Sequence, residues 1–74
     1  MKASDIKHMI EAGMPDAEVE VLGDDGQHFD ARVVSPSFAG KTLVQQHKMV
    51  KETLGDKFAS GELHALSLKT SAPQ

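Results

Sequence analysis

The stretch Glu18–Val34, EVEVLGDDGQHFDARVV, decides the fold. Val19 and Val21 alternate with Glu18 and Glu20, which predicts a strand with one wet face. Gly23-Asp24-Asp25-Gly26 supplies a turn, after which Phe29, Ala31 and Val33 alternate with Asp30 and Arg32. The pattern is that of two antiparallel strands joined as a hairpin.

Outward from the hairpin the period changes. Upstream, Ile6, Met9, Ile10 and Gly13 fall at helical spacing, with Ser4 as the expected N-cap and Asp5 at the positive end of the dipole. Gly13 and Pro15 are expected to stop this helix. Downstream, Ser35-Pro36 reads as an N-cap followed by proline at the first helical position, a turn that Gly40 interrupts. A longer helix is predicted from about Thr42 to Phe58, with Leu43, His47, Val50 and Leu54 along its apolar face. Leu63–Thr70 reads as a third strand and Ser71–Gln74 as a frayed tail. The order α-β-β-α-α-β predicts an α+β, two-layer sandwich with helices on one face of a three-stranded sheet. If the second and third strands are neighbours, the helical crossover makes them parallel and the sheet mixed.

A chain of 74 residues forms a single domain, here residues 1–74, with neither disulfide nor closed metal site to staple a small core. It has no cysteine, tryptophan or tyrosine, and its three phenylalanines offer little platform for stacked bases. Net charge is −3, but acidic residues gather in the first half and Lys41, Lys48, Lys51 and Lys57 in the second. No apolar run is long enough for a bilayer, and MKASDIKHMI lacks the features of a secretory signal, so cytoplasm is the expected location.

Histidine carries what metal chemistry there is. Parallel second and third strands would begin at the same sheet edge, bringing His28 and His64 near one another. Two imidazoles make half of a tetrahedral site. Strand parity puts His28 opposite Phe29 and Ala31, and His64 with Leu66 and Leu68, so convergence requires a mobile hairpin. The competing account is two strand-end histidines that never meet. His47 falls on the apolar stripe of the longer helix and reads as a buried, hydrogen-bonded structural residue. Asp24-Asp25 suits turn-making, Ser35 and Ser37 lack triad partners, and no phosphate loop is present. Nothing in these residues argues for an enzyme.

Phe38–Val50, FAGKTLVQQHKMV, and Leu63–Thr70, LHALSLKT, resemble the BolA family. The carriers are Phe38, Gly40, Gln46-His47-Lys48, Val50, Leu54 and His64-Ala65, and the resemblance covers nearly the whole chain. It implies a KH-like (type II) fold and a heterodimer with a monothiol, CGFS-type glutaredoxin. It further implies a shared [2Fe–2S] cluster, held in part by glutaredoxin cysteine and glutathione, with none expected in the isolated chain. His64 corresponds to the family's strand ligand, and His28 to the histidine form of its hairpin-loop ligand. The implied role is cluster trafficking, maturation or iron regulation, with the isolated protein a monomer or weak dimer. Some members are described as transcriptional regulators, which implies as the alternative DNA contact through Lys41, Lys48 and Lys51. Gln46 stands where many members carry arginine and Lys51 where many carry an aromatic residue, which weakens that alternative.

Overall fold

The computed structural model describes residues 2–23, 28–55 and 65–73. Within them the chain runs α1 (Ala3–Gly13), β1 (Glu18–Leu22), β2 (His28–Val34), a 3₁₀ turn (Pro36–Phe38), α2 (Leu43–Thr53) and β3 (Ala65–Ser71). The predicted α-β-β-α-α-β order holds, its middle α element being that single 3₁₀ turn. β2 is central in a mixed sheet, antiparallel to β1 and parallel to β3. A tight turn can join only antiparallel neighbours, so the parallel pair requires the intervening helical connection.

Burial follows the alternation. Phe29, Ala31 and Val33 of β2 are buried, while His28, Asp30 and Arg32 are exposed. The core joins Ile6, Ile10 and Met14, Val19, Phe29 and Val33, Phe38, Val50 and Leu54. Each fully buried large side chain stabilises the fold by roughly 1.5–3 kcal/mol. The other sheet face is polar, with Glu20 opposite Arg32, and Arg32 opposite Lys69, in one cross-strand row.

Several predicted details shift. α1 begins at Ala3 with Lys2 as its N-cap residue, rather than at the expected cap Ser4. The Asp5 carboxylate accepts the Lys2 backbone N–H at 3.0 Å, which draws the helix start earlier. α2 ends at Thr53, short of the predicted Phe58. Leu54 is its C-cap, and Gly55 follows at φ +60, a left-handed conformation that ends helices. The apolar stripe is also rotated. Leu43 is 62% exposed, and the buried positions of α2 are Gln46 and Val50, with Leu54 at the cap. At the C-terminal end, Ser71 is strand rather than tail, its carbonyl accepting the Ser35 N–H at 3.1 Å.

Side-chain hydrogen bonds and one close packing contact hold the helices and loops in place. Ser35 caps the 3₁₀ turn as predicted, its Oγ accepting the Ser37 N–H at 3.0 Å. The Ser35 and Ser37 hydroxyls both donate to the Asp16 carboxylate, at 3.1 and 2.8 Å, clamping the α1–β1 connection to the turn. The Gly13 contact concerns space. A Cβ there would lie 2.6 Å from Thr53 Cγ2 and 2.9 Å from Thr53 Cβ, so the missing side chain lets α1 approach α2. In an open helix Gly→Ala would stabilise by up to about 1 kcal/mol. Here Gly13→Ala is expected to destabilise by about 1–3 kcal/mol in urea unfolding, because stiff, helix-borne Thr53 cannot yield cheaply. In a Thr53→Ala background the penalty should shrink. An unchanged penalty there would show that the close approach is not its cause.

Candidate functional site at the start of the parallel strands

The parallel ladder brings one end of β2 beside one end of β3. His28 is the first residue of β2, and its Cα partner across the ladder is Ala65, the first described residue of β3. Phe29 pairs in turn with Leu66. Phe29 is buried in the core, so strand alternation presents His28 on the opposite, exposed face. The buried phenylalanine thus anchors the exposed imidazole beside the head of β3. His64 and Leu63 lie outside the described residues, as do Asp24 and Asp25 of the hairpin turn. In sequence, His64 is joined to Ala65, the residue opposite His28.

The donor set available here is small. Among the described residues no three histidine, aspartate or glutamate side chains gather as a metal group, and the chain has no cysteine. A closed structural zinc site needs four protein ligands. Among the described residues, this end of the sheet offers the imidazole of His28 and no closed four-ligand set.

The α2 candidates separate. His47 is half-buried beside Val44, Lys48, Lys51 and Glu52 at a shallow depression on the outer side of the helix. The fully packed position expected for it is occupied by its neighbour Gln46, because the core-facing row runs 46–50–54 rather than 43–47–50–54. Lys41, Lys48 and Lys51 are exposed.

Gln46 is the residue that the sequence pattern passed over. It is 8% exposed; its Nε2 donates to the Lys41 carbonyl at 2.9 Å, and its Oε1 accepts from Thr70 Oγ1 at 2.6 Å. One amide thereby ties α2 to β3 and to the loop before the helix, using the donor and acceptor that glutamine alone combines with this reach. Its spacing to Val50 and Leu54 was a signal, but a polar residue in a core row is discounted by hydrophobic periodicity. Asp16 had no local signal, since its hydroxyl partners are 19 and 21 residues away in sequence.

Comparison with known proteins agrees with this architecture. A family model described as BolA-like protein matches residues 6–74. SufE-like protein 1, chloroplastic/mitochondrial, of Arabidopsis thaliana is 48% identical over 52 residues, which are 69% of this chain and 14% of that protein. The chain thus spans only a small part of that relative. An uncharacterized protein in the rpoN-murA intergenic region of Acinetobacter guillouiae is 38% identical over 69 residues, covering 93% of this chain and 82% of that one. Among solved structures, a bolA protein homologue from Coxiella burnetii matches at TM-score 0.85 and 42% identity, over 99% of this chain and 92% of that chain. The BolA domain of SufE1 from Arabidopsis thaliana matches at TM-score 0.81 and 37% identity, over 96% and 91%.

Proposed function

The chain belongs to the BolA-like family, and on that footing we propose that it is a non-enzymatic partner of a monothiol, CGFS-type glutaredoxin. In this role it lends His28 and His64 to a shared [2Fe–2S] cluster whose thiolates come from glutaredoxin and glutathione. The task is cluster trafficking, maturation or iron regulation, carried out in the cytoplasm. Among the described residues no helix is long and apolar enough to cross a membrane.

One observation carries the proposal: exposed His28 heads β2 directly opposite Ala65, the residue that follows His64. What the chain contributes is orientation. Phe29 is held in the core and His28 heads β2 on the opposite, exposed face, so in this reading the end of β2 at the hairpin shifts to bring His28 to the same centre as His64. When bound, the cluster would supply one-electron chemistry, its potential raised by imidazole in place of thiolate.

The test is to mix the protein with a cluster-loaded monothiol glutaredoxin and follow visible absorption and circular dichroism. A heterodimer with a changed cluster spectrum is expected. His64→Ala and His28→Ala should lose the change, whereas His8→Ala, on the exposed side of α1, should keep it. A spectrum that wild-type protein leaves untouched would sink the ligand role.

A second reading, DNA-binding transcriptional regulation, is favoured by the exposure of Lys48 and Lys51 one turn apart on α2. Such contacts to phosphate weaken steeply with salt. Binding in moderate salt that survives replacement of Lys48 and Lys51 would remove this surface from consideration.

A further inference from the structure

Gly23, the residue that follows β1, abuts the first peptide of β2. A Cβ at Gly23 would stand 2.6 Å from the His28 carbonyl oxygen, 2.6 Å from Phe29 Cδ1 and 3.2 Å from Phe29 Cε1. Its φ is +154, a backbone conformation that residues with a side chain rarely adopt. The regular β1–β2 register ends one residue earlier, at Leu22 opposite Asp30. Beyond that pair, Gly23 is where the described part of the first strand touches the His28–Phe29 unit.

These distances fall short of ordinary carbon contact by on the order of 1 Å. A side chain at position 23 therefore forces something to move. The Phe29 ring is 3% exposed and fixed in the core. Movement of a packed ring is costly, so the backbone at His28, at the exposed end of its strand, gives way instead. From this we infer that Gly23 is a positioning residue for His28: its bare Cα sets where the imidazole stands relative to the head of β3. The inference rests on the proposed role of His28 as a cluster ligand. Groups that orient a metal ligand typically change affinity about 10–100-fold when altered.

The experiment compares Gly23→Ala with His28→Ala and with Gly40→Ala. Gly40 also has a positive φ, +76, but a Cβ there meets nothing within 4 Å, so it reports backbone strain without the contact. In the isolated chain, NMR is expected to show the His28, Phe29 and Ala65 amides and the His28 ring displaced by Gly23→Ala and unmoved by Gly40→Ala. In the complex with cluster-loaded glutaredoxin, Gly23→Ala should speed cluster loss to a chelator about tenfold. His28 resonances unmoved by Gly23→Ala would overturn the inference. So would displaced resonances with a wild-type rate of loss, provided that His28→Ala accelerates it. If His28→Ala itself leaves spectrum and rate unchanged, the ligand role of His28 fails, and the positioning role with it. Should Gly23→Ala not fold, the same measurements are made on Gly23→Ala/Phe29→Leu against Phe29→Leu alone. Unmoved His28 resonances in that pair would likewise overturn the inference.

Discussion

Phe38→Ala should cost about 3–5 kcal/mol of stability, the expected range for emptying an aromatic site in a packed core. Phe38 closes the 3₁₀ turn, is 1% exposed and is among the largest side chains fully enclosed by the fold. Its backbone is held as well, the N–H donating to the Ser35 carbonyl at 3.1 Å and the carbonyl accepting the Lys41 N–H at 3.0 Å. The turn therefore cannot collapse into the space the ring leaves, and a cavity persists. At roughly 0.05–0.15 kcal/mol per residue, a domain of this size has only about 4–11 kcal/mol in hand. A loss of this size corresponds to a Tm drop of about 15–30 °C in calorimetry or thermal circular dichroism. Phe38→Leu, which keeps most of the volume, should lose well under half as much. Equal losses for the two variants would mean that the turn, and not the ring, is what Phe38 maintains.

Gln46→Leu is the second large effect, expected at about 2–3 kcal/mol in urea unfolding. The substitution retains apolar bulk but strips partners from the Lys41 carbonyl and the Thr70 hydroxyl, which Gln46 satisfies at 2.9 and 2.6 Å. A buried polar group left without a partner costs about 1–3 kcal/mol, and these two part-buried groups fall at the lower end of that range. Thr70→Val alone should cost about 1 kcal/mol, and adding it to Gln46→Leu should cost almost nothing further, because the orphaned hydroxyl is then gone. Strict additivity of the two substitutions would show that the amide and the hydroxyl do not act on one another. The Lys41 carbonyl stays unpaired in both Gln46 variants, so the double variant should remain less stable than wild type.

How far these residues could be read in advance depended on the range of the force involved. The alternation of Val19 and Val21, then Phe29, Ala31 and Val33, placed both strands and their faces correctly, since burial of one strand face repeats every second residue. Ser35-Pro36 signalled its turn because capping acts within two or three residues. Gly13 was identified as the end of α1, which it is, but its second role was not legible. Its missing side chain matters because Thr53, forty positions away, packs against it. The rotated stripe of α2 failed similarly. Leu43 is the better hydrophobe, but the helix turns Gln46 inward, where Thr70 and the Lys41 carbonyl complete its hydrogen bonds.

For the candidate site, the sequence by itself determined the residue types and the family: no cysteine, a histidine before each of Phe29 and Ala65, and the motifs that mark the family. Residue types are covalent facts and need no folding. The order of elements already put His28 and His64 at one sheet edge; only the tertiary structure decided the register, His28 opposite Ala65, and backed His28 with buried Phe29 and bare Gly23. The residue-by-residue pairing of β2 with β3 and the close approach of Gly23 to Phe29 arise between separate segments, through packing that the pattern of one segment does not encode.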